Sequence, residues 1–223
     1  MLTAILFDLD GTIVNTDPIH YQVWRSILIE YKVEINEKIY KSNFSGRLNP
    51  EIIQDVLPQL SAEENENFAV EKEARFRQQA SLLKPIKGFS QLLAWSEKHH
   101  LKRALVTNAP KLNAHFMLEA LRLKEAFDII ILAEEEAAAK PDPTPYKVAL
   151  ERLGVNARQA IAIEDSPSGI LSAINAGIRT VGMASTQTPE TLRELGAFMA
   201  ITDFADSQLW TFLNSVLGAK TEI

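Results

Sequence analysis

Short, mostly apolar runs alternate with longer amphipathic segments along the chain from residue 85 onward. Such runs are typical of parallel strands that are covered on both faces. The predicted strands are RALVTNA (103–109), FDIIIL (127–132), AIAIED (160–165), RTVGM (179–183) and FMAIT (198–202). The predicted helices are FSQLLAWSEKHH (89–100), NAHFMLEALRL (113–123) and TPYKVALERLG (144–154). With the apolar strand AILFD (4–8) in front, this alternation predicts an α/β fold with a doubly wound, Rossmann-like parallel sheet.

Residues 16–84 interrupt the alternation, because helical patterns dominate there and no convincing strand is visible. Pro85 and Gly88 in KPIKG mark the return to alternating strands and helices. The helical segments are PIHYQVWRSILIEY (18–31), NPEIIQDVLPQL (49–60) and SAEENENFAVEKEARFRQQASLL (61–83). We therefore predict a discontinuous α/β core, residues 1–15 and 85–223, with an all-helical domain, residues 16–84, inserted after the first strand.

Composition excludes several kinds of site and partner. The chain of 223 residues has no cysteine, which rules out disulfides, thiolate zinc sites and cysteine nucleophiles. His99 and His100 are adjacent rather than four apart on one helix face, so a zinc site is not predicted. The formal net charge is −6 and no cluster of Lys and Arg exceeds a pair, which argues against binding to nucleic acid or to an anionic membrane.

The chain also lacks the patterns of a membrane or secreted protein. No apolar run approaches the roughly 20 residues that a membrane span needs, and the N-terminus has no charged segment followed by a cleavable apolar one. We therefore expect a cytoplasmic protein. An anionic small molecule is still an acceptable partner, because the local charge of a site can oppose the net charge of the chain.

The stretch DLDGTIVNTD (8–17) places Asp8 and Asp10 at the end of the first predicted strand. An EF-hand calcium loop starting at Asp8 would need Gly at position 6 and Glu at position 12, but these positions hold Ile13 and Ile19. That interpretation is excluded. Two others stay open for the motif alone: a DG turn with incidental acids, and a metal-and-phosphoryl site at the carboxyl end of a parallel strand.

Polar residues after the other predicted strands favour the second interpretation. Residues that follow parallel strands gather at one edge of the sheet. They are Thr107 and Asn108 after RALV, Glu164 and Asp165 after AIAI, and Lys140 after FDIIIL. Acids this close together repel unless a cation lies among them, and Mg²⁺ prefers a few carboxylates with water and phosphate oxygens. Each residue alone has an ordinary structural explanation, so it is their combination that predicts the site.

These residues resemble the motifs of the haloacid dehalogenase superfamily, in the subclass that has a helical cap inserted after the first motif. The motifs are DLDGT (8–12), VTN (106–108), KPDP (140–143) and IEDSPSGI (163–170). They occur in the family's order and approximate spacing, over nearly the whole chain.

The resemblance implies a role for each matching position. Asp8 would be the nucleophile that forms an aspartyl-phosphate, and Asp10 would be the general acid and base. Thr107 and Lys140 would hold the transferring phosphoryl group, with Asn108 close by. The cofactor would be Mg²⁺, bound by Asp8, the backbone carbonyl of Asp10 and Asp165, with Glu164 supporting it directly or through water.

The inserted helices would form the cap that selects the leaving group. His20, Arg47 and Lys72 lie in this region, and in relatives that act on sugar phosphates similar positions contact or gate the substrate. We therefore expect these three residues to bind substrate.

The implied activity is a Mg²⁺-dependent phosphatase acting on a small phosphorylated metabolite of the sugar phosphate or phosphoglycolate type. Dehalogenases of the superfamily lack the second acid of DLDGT, so they are set aside. A β-phosphoglucomutase-type phosphosugar mutase is the alternative, because mutases share the first half-reaction. A receiver module that is phosphorylated as a signal would not need the chain length or the helical insertion. We expect a monomer or a weak dimer.

Overall fold

The described part of the chain, residues 1–45 and 47–218 of a computed structural model, contains six strands that form one parallel sheet. The strands are β1 (Ala4–Phe7), β2 (Lys102–Thr107), β3 (Ile129–Leu132), β4 (Ala160–Glu164), β5 (Arg179–Met183) and β6 (Met199–Ile201). Their order across the sheet is β3-β2-β1-β4-β5-β6, and all neighbouring strands are parallel. The sheet extends outward from β1 on both sides, which confirms the predicted doubly wound α/β fold.

Ten α-helices lie within these described residues. They are α1 (Asp17–Leu28), α2 (Glu37–Asn43), α3 (Asn49–Val56), α4 (Ala62–Arg77), α5 (Phe89–Lys98), α6 (Lys111–Ala120), α7 (Thr144–Leu153), α8 (Pro167–Asn175), α9 (Pro189–Glu194) and α10 (Ser207–Gly218). Short 3₁₀ helices are found at Ile29–Tyr31, Ala80–Leu82, Ala133–Glu135 and Ala157–Gln159. No helix in the described ranges is long and apolar enough to cross a bilayer.

The chain divides into two compact units. The sheet unit consists of Met1–Asn15 together with the chain from Lys84 onward, and the helical unit consists of Thr16–Leu83. The predicted core also included residues 219–223, which lie outside the described residues.

Side chains of the central strand β1 alternate between the two faces of the sheet. Leu6 lies in a buried cluster with Tyr146 of α7 and with small residues of the neighbouring strands, among them Ala104 and Ala162. Phe7 makes edge contacts on the other face. Its ring centroid lies 5.6 Å from Phe89, 6.1 Å from Phe127 and 6.3 Å from Phe204. Because β1 is buried on both faces, the centre of the sheet is a rigid support for the residues that follow this strand.

The helical unit has its own apolar core. Trp24 of α1 belongs to this core, with ring-centroid distances of 5.3 Å to Phe44 and 5.9 Å to Phe68 of α4. Helix α4 begins with a capping box, in which the Ser61 side chain accepts the N–H of Glu64 and the Glu64 side chain accepts the N–H of Ser61. The predicted helices of this region therefore pack against one another as a unit.

The predicted elements agree with the observed ones except near their ends. The strand predicted at 103–109 ends at Thr107, whose hydroxyl accepts the N–H of Ala109 and so supports a turn. The helix predicted at 89–100 ends at Lys98, because His100 adopts a φ of 53° that a helix does not tolerate. The predicted helices do not include α2, α8, α9 or α10. Of these, α2 and α9 have seven and six residues, too few for a clear helical period.

Candidate active site

The candidate site lies at the carboxyl edge of the sheet, where β1 meets its two neighbours. The N–H of Asp8 donates to the Ile163 carbonyl at 3.1 Å, which extends the pairing of β1 with β4 by one bond. The register pairs Phe7 with Ile163 on one side and with Leu105 on the other, so Asp8 lies level with Glu164 and next to the end of β2. The central position of β1 thus brings residues from three strands to Asp8.

A tight turn follows Asp8 and contains Asp10. The N–H of Gly11 donates to the Val14 carbonyl at 2.7 Å, and Asp10 is half-buried. Gly11 has a φ of 77°, and a Cβ atom at this position would lie 2.1 Å from Asp165 Oδ2. The glycine of DLDGT is therefore required both by its backbone conformation and by the close approach of Asp165.

Lys140 connects the acids of the site. Its Nζ donates to Asp8 Oδ1 at 2.7 Å, to Glu164 Oε1 at 2.5 Å and to the Val106 carbonyl at 2.7 Å. Burial alone would lower the pKa of Lys140, but the Asp8 and Glu164 carboxylates outweigh burial and raise it. Lys140 is therefore a buried ammonium group that donates three hydrogen bonds to the protein.

The side chains of Asn108 and Thr107 form hydrogen bonds with the backbone. Asn108 bonds to Lys140, and Thr107 bonds to the turn after β2. The Asn108 amide accepts the N–H of Lys140 at 3.2 Å and donates to its carbonyl at 3.1 Å. This two-point contact fixes the backbone of Lys140 beside β2. The Thr107 hydroxyl accepts the N–H of Ala109 at 3.0 Å. A hydroxyl that accepts one bond retains its own proton as a donor.

Glu164 is fully buried and only partly satisfied by the protein. Its Oε1 accepts from Lys140 and from the Tyr146 hydroxyl, the latter at 2.6 Å, whereas its Oε2 is buried without a hydrogen-bond partner. A Cβ atom on Gly169 would lie 1.9 Å from Oε2. Burial raises the pKa of Glu164 to about 7, with Lys140 opposing the shift and Asp8 adding to it.

Asp165 is oriented by the loop after β5. The Thr186 hydroxyl donates to Asp165 Oδ2 at 2.7 Å and lies 3.0 Å from the Asp165 carbonyl. The Ser185 hydroxyl donates to the Gly11 carbonyl, so this loop also holds the first motif. Burial, together with the charges of Asp8 and Glu164, raises the pKa of Asp165 well above its usual range.

The three acids form a possible metal site. One ligand oxygen from each of Asp8, Glu164 and Asp165 lies within 4.8 Å of the others. All donors are carboxylate oxygens, which suit a hard divalent cation. Oε2 of Glu164 is buried without a hydrogen-bond partner, so one carboxylate oxygen of the cluster is available as a ligand. The residues present therefore fit a cation such as Mg²⁺.

Of the three predicted substrate-binding residues in the helical unit, His20 and Lys72 contact each other, whereas Arg47 pairs with a different residue. Lys72 Nζ lies 2.9 Å from His20 Nδ1 and 2.6 Å from Glu73 Oε1, so His20 and Lys72 are together. Arg47 instead donates to Asp55 Oδ2 at 2.7 Å within the helical unit. Contacts of these residues with substrate stay a prediction.

Sequence reasoning did not identify several residues of the site. Tyr146 lies on α7, six positions after Lys140. Its place on the buried face of that helix is the feature of the sequence that points to it. Thr186 and Ser185 follow β5, and a search of every strand exit would have included that loop. Gly169 lies within the motif IEDSPSGI, but the need for glycine at this position becomes clear only from the close approach of the Glu164 side chain.

A family model described as haloacid dehalogenase-like hydrolase matches residues 5–183. A validoxylamine A 7′-phosphate phosphatase from Streptomyces hygroscopicus subsp. limoneus is 30% identical over 195 residues, covering 87% of this chain and 91% of the relative. A phosphorylated carbohydrates phosphatase from Thermotoga maritima is 30% identical over 182 residues, covering 81% and 84%. Among solved structures, a β-phosphoglucomutase from Clostridium difficile is 25% identical, with a TM-score of 0.80, and 98% of each chain is covered.

Proposed function

The chain belongs to the haloacid dehalogenase-like hydrolase family and is a phosphoric monoester hydrolase, and from this premise we propose that it hydrolyses a small phosphorylated metabolite through a phosphoryl group carried on Asp8. The metabolite is a phosphate ester of the sugar phosphate or phosphoglycolate type. Two relatives with similarity over most of the chain are named as phosphatases, one of phosphorylated carbohydrates and one of validoxylamine A 7′-phosphate, which supports this class. The helical unit serves as the cap that selects the leaving group.

One observation carries the proposal: Lys140 Nζ bridges Asp8 Oδ1 and Glu164 Oε1 at the end of the central strand. A carboxylate is a weak nucleophile, so phosphoryl transfer depends on positioning and on compensation of charge. The lysine holds the Asp8 carboxylate in place and supplies a positive charge next to the attacking oxygen. The Thr107 hydroxyl can donate a hydrogen bond to an oxygen of the transferring group.

The reaction has two transfers. In the first, an oxygen of Asp8 attacks phosphorus, the bond between phosphorus and the leaving oxygen breaks, and Asp10 gives its proton to that oxygen. In the second, Asp10 takes a proton from water while the water oxygen attacks phosphorus. The bond between phosphorus and Asp8 then breaks, which releases inorganic phosphate and restores both carboxyl groups.

Mg²⁺ is the proposed cofactor. Asp8, Asp165 and the backbone carbonyl of Asp10 would hold it, with Glu164 supporting it directly or through water. When bound, the ion neutralises charge on the oxygens of the phosphoryl group. Within the protein, Thr186 fixes the orientation of the Asp165 carboxylate that would meet the ion.

A phosphosugar mutase is the second candidate, favoured by the similarity to a solved β-phosphoglucomutase over both units. The two activities share the transfer to Asp8 and differ in the acceptor. Water discharges Asp8 in a phosphatase, whereas a hydroxyl of a bound phosphosugar discharges it in a mutase.

Phosphate release from a panel of small esters, with and without Mg²⁺, tests the proposal. The panel contains phosphoglycolate, both glucose 1-phosphate anomers, glucose 6-phosphate, fructose 1-phosphate and nucleoside monophosphates. We expect release that requires Mg²⁺ and is lost in Asp8→Asn and Asp10→Asn. Consumption of β-glucose 1-phosphate without free phosphate would indicate the mutase, and no turnover of any ester would contradict both candidates.

A further inference from the structure

The loop that follows β5 carries two adjacent hydroxyl groups that bond to different parts of the site. The Ser185 hydroxyl donates to the Gly11 carbonyl, which belongs to the turn that contains Asp10. The Thr186 hydroxyl donates to Asp165 Oδ2 at 2.7 Å, and Asp165 is a proposed metal ligand. Neighbouring residues of one loop therefore contact the proposed general acid's turn and the proposed metal site separately.

The sheet holds this loop in place. Strand β5 lies between β4 and β6, and directly after it the N–H of Ala184 donates to the Ile201 carbonyl of β6 at 2.7 Å. The N–H of Ser185 donates to the Met183 carbonyl at 2.9 Å, which closes a tight turn. Ser185 is half-buried there. Its hydroxyl is therefore a donor whose backbone is anchored in the sheet.

Asp10 lies between two anchored points of the chain. Before it, the N–H of Asp8 donates to a carbonyl of β4 at 3.1 Å. After it, the N–H of Gly11 donates to the Val14 carbonyl at 2.7 Å, and the carbonyl of Gly11 accepts from Ser185. The backbone is thus held on both sides of Gly11, which limits the directions in which the Asp10 side chain can point.

We infer that Ser185 is a positioning residue for the general acid: by holding the Gly11 carbonyl, it keeps the Asp10 carboxyl group directed at the leaving oxygen of the ester. This inference rests on the proposed function, in which Asp10 gives its proton to that oxygen as the bond to phosphorus breaks. Proton transfer requires the acid within hydrogen-bond reach of its acceptor, so a small displacement of the acid slows the step. Thr186 acts on Asp165 instead.

The test uses two esters of similar shape, phenyl phosphate and p-nitrophenyl phosphate, with Mg²⁺ present. Phenolate leaves much faster when it is protonated, whereas p-nitrophenolate is a stable anion that leaves without a proton. The ratio of kcat/KM for p-nitrophenyl phosphate to that for phenyl phosphate therefore rises when the acid is displaced. Because kcat/KM covers only the steps up to departure of the leaving group, the later discharge of Asp8 does not enter. Loss of folded protein or of bound Mg²⁺ lowers both values and leaves their ratio unchanged.

Three variants separate the roles of the two hydroxyl groups. In Ser185→Ala we expect the ratio to rise at least about fivefold, a part of the roughly 10²–10⁴-fold that a general acid contributes, while calorimetric Mg²⁺ affinity stays close to that of wild type. Ser185→Thr retains the hydroxyl and should keep the wild-type ratio. The matched control Thr186→Val loses the neighbouring hydroxyl, so Mg²⁺ affinity should fall while the ratio stays at the wild-type value. Asp10→Asn, which lacks the acid, should show the largest rise.

An unchanged ratio in Ser185→Ala, or an equal rise in Thr186→Val, would overturn the inference and leave the phosphatase proposal intact. If wild type hydrolyses other esters but neither aryl ester, acetyl phosphate, whose acetate group also leaves without a proton, is compared with the preferred ester in the same variants. A wild-type ratio in Asp10→Asn would contradict the acid role of Asp10 in the proposed function. No hydrolysis of any ester by wild type would contradict the proposed function itself.

Discussion

Gly11 of the DLDGT motif directly contacts the proposed metal site, because the Asp165 carboxylate occupies the space beside it. Its φ is 77° and an added Cβ atom would lie 2.1 Å from Asp165 Oδ2. Gly154, the residue after α7, provides the matched comparison, because its φ is 64° and an added Cβ atom would meet nothing within 4 Å. Alanine at either position has the same left-handed backbone strain, but only Gly11→Ala also displaces a buried carboxylate.

The size of each effect follows from these contacts. Left-handed strain costs an L-residue about 1–2 kcal/mol, and this is the whole expected loss for Gly154→Ala. In Gly11→Ala the Asp165 carboxylate must also move and lose its bond from Thr186. A hydrogen bond to a buried charged group contributes about 1.5–3 kcal/mol. The expected loss of unfolding free energy for Gly11→Ala is therefore roughly 2.5–5 kcal/mol.

Urea unfolding of the metal-free protein and its two variants measures the difference. We expect Gly11→Ala to unfold at a clearly lower urea concentration than Gly154→Ala, with similar slopes for both transitions. Mg²⁺ should stabilise wild type and Gly154→Ala but stabilise Gly11→Ala much less, because its Asp165 is displaced. Equal losses in the two variants, with equal stabilisation by Mg²⁺, would refute the reasoning.

Three further predictions concern the residues around the acid cluster. Tyr146→Phe removes the hydroxyl that donates to Glu164 Oε1, so thermal unfolding of the metal-free protein should show a loss of about 1.5–3 kcal/mol, and an unchanged midpoint would argue against this bond. Thr186→Val keeps the shape but frees the Asp165 carboxylate, so calorimetric Mg²⁺ affinity should fall roughly tenfold or more, whereas Thr180→Val, which loses a bond to a backbone carbonyl, should bind Mg²⁺ as wild type does. Burial raises the pKa of Glu164 from 4.5 to about 7, so the folded metal-free protein binds more protons than the unfolded chain between these values, and its unfolding free energy should fall as pH rises through this window. The comparison with Glu164→Gln subtracts the pH dependence that comes from other groups. Over this window the wild type should lose roughly 3 kcal/mol of unfolding free energy relative to that variant, and parallel pH profiles of the two proteins would contradict the prediction.

The grouping of Asp8, Lys140, Glu164 and Asp165 follows largely from sequence. The alternation of strands and helices implies a parallel sheet. In such a sheet, residues that follow the apolar strands lie together at its carboxyl edge. The roles of these residues stay predictions, but their proximity needs little more than the strand pattern.

Other features depend on packing that no local pattern encodes. The Lys140 side chain reaches Asp8 because the Asn108 amide fixes its backbone, a contact over a separation of 32 residues. Tyr146 looks like any apolar-face residue of an amphipathic helix until its hydroxyl is seen to meet Glu164. Pairing of Lys72 with its neighbour Glu73 is also not evident from the sequence, since adjacent residues on a helix do not ordinarily face each other.

The central claim is that Asp8 carries the phosphoryl group. Peptide mass spectrometry of enzyme quenched in acid during turnover of its preferred ester, with Mg²⁺ present, tests this most directly. We predict a phosphoryl adduct on the peptide that contains Asp8, which disappears once the ester is consumed and never forms in Asp8→Asn. An adduct on another residue, or steady phosphate release by Asp8→Asn, would contradict the claim.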